Sequence, residues 1–224
     1  MKRYAIVGAG GFGREVFDYV DSSLRSAGVF DVELIFAVEE GFNVREKKGR
    51  RIVNVESIIG GEVEIDGFYL AISDSYARER IAYALEQGAS HARTVISEFS
   101  YVAKDAALGM GAIVAPYALI SSGSTVGKQL HLNHHAYIAH DCTVGDYVTF
   151  APGAKCNGSV IVNDHAYIGS GAVIKNSSPS NLIEIGRGAK IGMGAVVLES
   201  VAEGQVVVGN PAKPLPITRP ASAG

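Results

Sequence analysis

The chain has 224 residues, 47% of them apolar, which suffices for one large domain or two modest ones with a substantial core. Lys and Arg number 20 against 23 Asp and Glu, a formal net charge of −3, so there is no basic field for nucleic acid or an anionic membrane. No apolar run reaches the ~18 residues of a membrane span, and Met1-Lys2-Arg3 leads straight into a strand pattern instead of a signal peptide, so a cytoplasmic protein without membrane insertion is expected.

Residues 4–7 read as a buried strand, followed by Gly8-Ala9-Gly10-Gly11-Phe12-Gly13 and an amphipathic helix over residues 14–24. A G-x-G-x-x-G sequence between strand and helix suits a phosphate cradle, because glycines let backbone N–H groups and the helix N-terminus approach a pyrophosphate. A second strand over residues 33–38 ends at Glu39-Glu40, where an acidic side chain can grip a ribose hydroxyl. Residues 68–73 predict a third strand, Asp74-Ser75 caps a helix running to about Gln87, and residues 91–95 form a last short strand. Residues 1–95 therefore predict a small Rossmann-like α/β domain. It falls short of the two full halves of a dinucleotide site, and a mononucleotide or nucleotide-linked ligand fits it better.

From Ile96 to Ile174 an apolar residue returns at every sixth position: Val102, Leu108, Val114, Ile120, Val126, Leu132, Ile138, Val144, Phe150, Cys156, Val162 and Ile168 fill the series. Four residues after each lies a second, mostly small set, with Ala112, Ala118, Ala136, Cys142, Ala154 and Ala172 among them. Between the two sets stand corner pairs such as Ser122-Gly123, His134-His135, His140-Asp141, Pro152-Gly153 and Ser170-Gly171, whose residue types suit tight turns. One short strand and one corner per hexad, three hexads to a coil, makes a triangular parallel β-helix of about eighteen residues per coil. This second, all-β domain is assigned to residues 96–216, and residues 217–224 to a frayed tail. After Ile174 the register breaks and resumes at Ile185, Ile191 and Val197; the interval implies a five-residue insertion, with residues 176–182 leaving the prism as a loop. Cys142 and Cys156 occupy inward slots and read as core residues, and the sequons at Asn157 and Asn176 are treated as accidental.

Five of the six histidines fall between His131 and His165. Corner slots point outward, so His134, His135, His140 and Asp141 are expected to be accessible, and His140-Asp141 is the choice for a general base with an acidic helper. One coil on, Gly158 should stack against His140 and leave its N–H open as an oxyanion donor. Asn133, in an outward slot, is a candidate contact for an acceptor or simply a surface residue.

The loop at Gly8-Ala9-Gly10-Gly11, the run from Ile138 to Gly145, the run from Ala151 to Gly158 and the ending Gly209-Asn210-Pro211-Ala212-Lys213 together resemble the sialic-acid O-acetyltransferase-like family of hexapeptide-repeat acyltransferases. Within it, the chain is most similar to bacterial N-acetyltransferases acting on a UDP- or dTDP-linked 4-amino-4,6-dideoxy sugar in polysaccharide biosynthesis. The resemblance implies left-handed β-helices assembled as a homotrimer, acetyl-CoA between neighbouring prisms, no metal, and the nucleotide sugar on the N-terminal domain. Carried over by position, His140 is the general base and Asp141 its neighbour. Gly158 offers its N–H to the thioester, while Thr149, Ser170 and Met193 lie along the acetyl-CoA groove. Gly10, Gly11, Phe12, Glu39, Ser73 and Asp74 surround the nucleotide sugar. Asp141 stands where N-acetylating relatives often carry the longer Glu.

The mechanism expected is direct transfer: His140 accepts a proton as the amine attacks the thioester, and no acetyl-enzyme forms. An O-acetyltransferase would use the same base and groove. Two remoter readings are a γ-carbonic-anhydrase-like metal enzyme using His135 and His140, and a scaffold that binds a nucleotide without catalysis.

Overall fold

The structure, a computed structural model, describes residues 1–41, 46–47, 49–88 and 90–215; the predicted tail at 217–224 lies outside the described residues. The N-terminal part runs β1 (Lys2–Val7), α1 (Gly11–Ser26), β2 (Val32–Val38), β3 (Glu46–Lys47), β4 (Arg50–Asn54), α2 (Val55–Ile59), β5 (Gly67–Leu70) and α3 (Ser75–Gln87). Its sheet has the order β3-β4-β2-β1-β5, parallel throughout except for the β3/β4 hairpin. The period-two alternation of a strand buried on both faces divides β1 between two cores. Tyr4 and Ile6 meet Val16, Phe17 and Val20 of α1, and Ala5 and Val7 meet Val55 and Ile58 of α2 and Ile81 and Leu85 of α3.

Helix α1 begins three residues before its predicted start, inside the glycine loop. Strand β5 stops at Leu70, earlier than the 68–73 reading, because the chain then turns to let the Asp74 carboxylate accept from the N–H groups of Tyr76 and Ala77 at 3.0 and 2.9 Å, capping α3. Strands β3 and β4 and helix α2 were not read from the sequence: they are short, and no sustained period marks them. The predicted strand at 91–95 resolves into a single parallel bridge, Phe68 to Ala92, and the first rung of the column, Val95–Ile96, paired with Ile113–Val114.

From there the chain winds as a prism of three parallel faces. We number these face 1 (rungs at 95–96, 113–114, 131–132, 149–150, 167–168, 190–191 and 206–208), face 2 (101–102, 119–120, 137–138, 155–156, 173–174, 196–197) and face 3 (107–108, 125–126, 143–144, 161–162, 184–185). Partners lie eighteen residues apart, as His131 and Thr149 do. After the insertion the spacing becomes twenty-three, Val162 to Ile185 and Ile174 to Val197, so five extra residues leave the prism without changing its register. The second residue of each rung points inward, and Val114, Ile120, Leu132, Ile138, Phe150, Cys156 and Ile168 are buried in one continuous core. Ile96, with no coil before it, is 40% exposed.

The first residue of each rung points outward, yet on face 1 Val95, Ile113, His131 and Thr149 are buried, because the α/β domain sits on that face. Arg78 of α3 locks the joint. Fully buried, it donates to the carbonyls of Ile72 at 2.8 Å and Tyr147 at 2.6 Å, to Thr149 Oγ1 at 3.2 Å and to His131 Nδ1 at 3.2 Å. His131 Nε2–H donates in turn to the Leu70 carbonyl at 2.7 Å. Burial lowers the guanidinium to about 10, so it stays charged at neutral pH. Burial first, and the Arg78 charge second, hold His131 well below the ordinary imidazole value. The neutral ring therefore accepts from Arg78 while donating to Leu70.

Removing a charged donor from four buried acceptors is costly, so Arg78→Met should lower unfolding stability by roughly 3 kcal/mol, seen as a lower urea midpoint at fixed protein concentration. The pH dependence has a definite sign. Below about pH 6.5 the unfolded chain protonates His131 while the folded chain keeps it neutral, so stability falls as pH drops from 7 towards 5, by at most about 1.4 kcal/mol per pH unit. His131→Asn should flatten that slope in urea titrations at the two ends of the range; an unchanged slope refutes the assignment.

Candidate active site

His140 and Asp141 form the corner between faces 2 and 3. Asp141 adopts the left-handed conformation with φ 58°, which turns its carboxylate back beside its neighbour, and His140 Nδ1 lies 2.8 Å from Asp141 Oδ2. The shorter acid thus reaches the imidazole. Nδ1 bears the proton and donates to the carboxylate, which leaves the Nε2 lone pair free, as a base requires. Both side chains are about two-thirds exposed.

Glycines on the adjoining coils make room for the pair. A Cβ on Gly158 would fall 2.5 Å from His140 Cε1 and 2.6 Å from Nε2, and one on Gly123 would fall 2.5 Å from Asp141 Oδ1. The imidazole therefore approaches the Gly158 backbone more closely than any side chain there would allow. Among the described residues no backbone acceptor takes the Gly158 N–H, whereas the next amide, Ser159, donates to the His140 carbonyl at 2.9 Å. From this edge an open groove of about 600 Å³ crosses face 2, lined by His140, Gly158, Asn157, Tyr137, Tyr117 and His135 among others. The Tyr137 hydroxyl donates to Asn157 Oδ1 at 2.8 Å, and Asn157 Nδ2 donates to the Ile174 carbonyl at 2.8 Å. The sequence reading names neither as a site residue and notes Asn157 only as an accidental sequon.

His135 and His140 lie on different edges of the prism: His135 stacks on Tyr117 at 5.1 Å between faces 1 and 2. Among the described residues no group of three or more His, Cys, Asp or Glu could hold a metal ion. His134 is half-buried, its ring nitrogen bonded to the Tyr19 hydroxyl of α1.

A separate cavity of about 430 Å³ opens at the carboxyl ends of β1, β2 and β5 and brings together Gly10, Glu39 and Ser73, with Val38, Ile52 and Ile72 in its walls. The glycine loop is built for it. A Cβ on Gly13 would overlap the Gly8 carbonyl, and Gly8 itself has φ +110°, so these two must be glycine for α1 to pack on the strand. Cβ positions at Gly10 and Gly11 would meet nothing within 4 Å. The α1 N-terminus has no side-chain cap and no acidic residue in its first turn, which suits a phosphate. Glu39 receives Arg80 Nη2 at 2.6 Å.

The remaining candidates are dispersed. Phe12 packs on His131 across the joint, ring centres 5.0 Å apart. The Asp74 carboxylate is engaged as a helix cap. Asn133 donates from Nδ2 to the Phe150 carbonyl at 2.9 Å, a bond that ties one coil to the next. Ser170 and Met193 occupy the edge between faces 1 and 2, Met193 being 82% exposed. Thr149 does not share the His140 edge: it lies on face 1, bonded to Arg78, in a cleft of about 440 Å³ with Ser73, Asp74, Tyr76, Tyr167 and Lys190. Face 1 is opposite the edge between faces 2 and 3, so one chain carries the glycine-loop cavity and His140 on opposite sides of its column.

No protein-family model matches the chain. It is 39% identical over 213 residues, covering 95% of this chain and 96% of the relative, to GDP-perosamine N-acetyltransferase of Escherichia coli O157:H7. Among solved structures, WeeI from Acinetobacter baumannii AYE is 38% identical, with a TM-score of 0.88 over 96% of this chain and all of its own. Perosamine N-acetyltransferase from Caulobacter crescentus, solved as a mutant with CoA and GDP-perosamine, has a TM-score of 0.83 over 96% of this chain and 98% of its own; at 22% identity it bears on the fold alone. The near full-length identity to a curated enzyme, on a column of hexad coils, places this chain among the hexapeptide-repeat sugar N-acetyltransferases.

Proposed function

We propose that this protein transfers the acetyl group of acetyl-CoA directly to the amino group of a nucleotide-linked 4-amino-4,6-dideoxy sugar, for surface-glycan biosynthesis, with His140 as general base. The observation that carries this reading is the pairing of His140 with Asp141 at 2.8 Å on the bare Gly158 backbone, which aims a free ring nitrogen into the face 2 groove. His140 Nε2 takes the amine proton as nitrogen attacks the thioester carbonyl. The resulting oxyanion meets the Gly158 N–H, and collapse expels CoA thiolate. Asp141 holds the ring's tautomer and stabilises the imidazolium that forms. Cys142 and Cys156 are buried in the column and take no part.

In this reading residues 1–95 form a Rossmann-like unit for the nucleotide sugar and residues 96–216 a left-handed column for the acetyl donor, in a cytoplasmic homotrimer. The opposed positions of the glycine-loop cavity and His140 favour assembly, because a sugar held by one copy then meets the imidazole of another. The sequence reading names UDP or dTDP; the curated relative at 39% identity acts, by its name, on a GDP-linked sugar, and that favours GDP here. Ser170 and Met193 suit the donor groove, while Thr149 lies beside the acceptor's residues instead.

His140→Ala should lower kcat by on the order of a hundredfold or more and leave nucleotide-sugar binding intact; retained activity would remove His140 from the base role. Gly158→Ala, whose Cβ has no room beside the imidazole, should lower kcat at least roughly tenfold with a melting temperature close to that of the wild type. Both are read by thiol release from acetyl-CoA, with amino and hydroxy nucleotide sugars compared side by side as acceptors.

A further inference from the structure

The glycine-loop cavity has a chemical asymmetry that bears on which base it accepts. Its walls are aliphatic, with Val38 and Ile52 from the β2 and β4 side and Ala71 and Ile72 beyond β5, a lining suited to the flat face of a heterocycle. Among its described lining residues Glu39 alone is charged. The uncapped α1 N-terminus at Gly10 and Gly11 suits the diphosphate at one end, so the base extends towards the other, where β2 ends at Val38 and Glu39 follows. Arg80 binds one carboxylate oxygen, Oε1, at 2.6 Å, which fixes the group's direction. Oε2 accepts no hydrogen bond from the described residues.

An ionised carboxylate only accepts hydrogen bonds. Guanine presents two adjacent donors, N1–H and the N2 amino group, to such an acceptor. Uracil and thymine offer one N–H flanked by two carbonyl oxygens, and adenine and cytosine place a ring acceptor beside their amino group, so each sets lone pairs against the carboxylate. A site that leaves its own polar group unpaired rejects a ligand strongly.

We propose that Glu39 is a specificity-determining residue that reads the N1–H and N2 amino donors of guanine, making a GDP-linked amino sugar the acceptor. This rests on the proposed function only in seating the nucleotide in the glycine-loop cavity. It differs from the ribose-gripping role that an acidic residue at the end of β2 has in dinucleotide sites.

Calorimetric binding of GDP, IDP, 2′-deoxy-GDP, UDP and dTDP to the full-length protein tests it without any acetyl transfer. IDP lacks only the N2 amino group, and 2′-deoxy-GDP lacks only the ribose hydroxyl. GDP should bind about ten- to a hundredfold tighter than IDP, UDP or dTDP, while 2′-deoxy-GDP stays within about threefold of GDP. In Glu39→Gln the preference for GDP over IDP should collapse. Because the wild-type series stands alone, a poorly folding variant does not spare the proposal. Equal affinity for GDP and IDP, a preference for UDP or dTDP, or a loss confined to the 2′-deoxy compound overturns the assignment of Glu39 and leaves the acetyltransferase reading in place. Failure of every nucleotide to bind overturns both.

Discussion

Eighteen residues per coil is the constraint on which this active site depends. His140 and Gly158 are stacked because the chain between them closes one triangle. The ring can lie on the next coil's backbone only because that position has no side chain. Each corner is individually a loose, solvent-exposed turn, but ladder hydrogen bonds on both flanking faces fix its height. The result is a pre-organised dyad whose parts are held by the column's pitch more than by direct contacts among themselves, and such positioning is what general-base catalysis asks of its scaffold.

The joint between the two halves follows a different logic. Arg78 is buried with no carboxylate partner among the described residues, and its charge is spread over two carbonyls, a hydroxyl and a neutral imidazole. An acid in place of His131 would form a buried ion pair, whose desolvation cost can match its attraction. The imidazole accepts with one nitrogen and donates with the other, so it ties Arg78 of α3 to the Leu70 carbonyl at the end of β5. Geometry of this kind is directional. It fixes the α/β domain against face 1 and thereby the direction in which the glycine-loop cavity opens.

Much of this was legible in the residues. The six-residue apolar period yields the prism, its faces and even the five-residue excursion after Ile174, because inward slots tolerate no exceptions. The strand-to-helix junction at the glycine loop was legible because Gly8 and Gly13 are forced by backbone proximity. What escaped was anything set by contacts between distant segments. Arg78 and His131 are 53 positions apart, and neither carries a local signal of burial. Thr149 sits on a rung whose outward face looks solvent-exposed from periodicity alone. A hint was present in Val95 and Ile113, apolar residues in outward slots of the same face, where Ala107, Thr125 and Thr143 mark the open face 3. The bond of Asn133 to the Phe150 carbonyl was not legible either, because it depends on a neighbouring coil. The hairpin of β3 and β4 is too short for any period to register.

At its far end the column finishes on face 1 with Val206–Val208, and Lys213–Pro214 then folds back against it antiparallel. A stack of parallel rungs is geometrically close to a cross-β fibril, and a bare last rung would offer free N–H and C=O groups to any extended chain. The reversed strand occupies that template on face 1, and its proline supplies no donor for a further partner. The turn that ends the face 1 ladder therefore covers the edge on which a further strand would otherwise add.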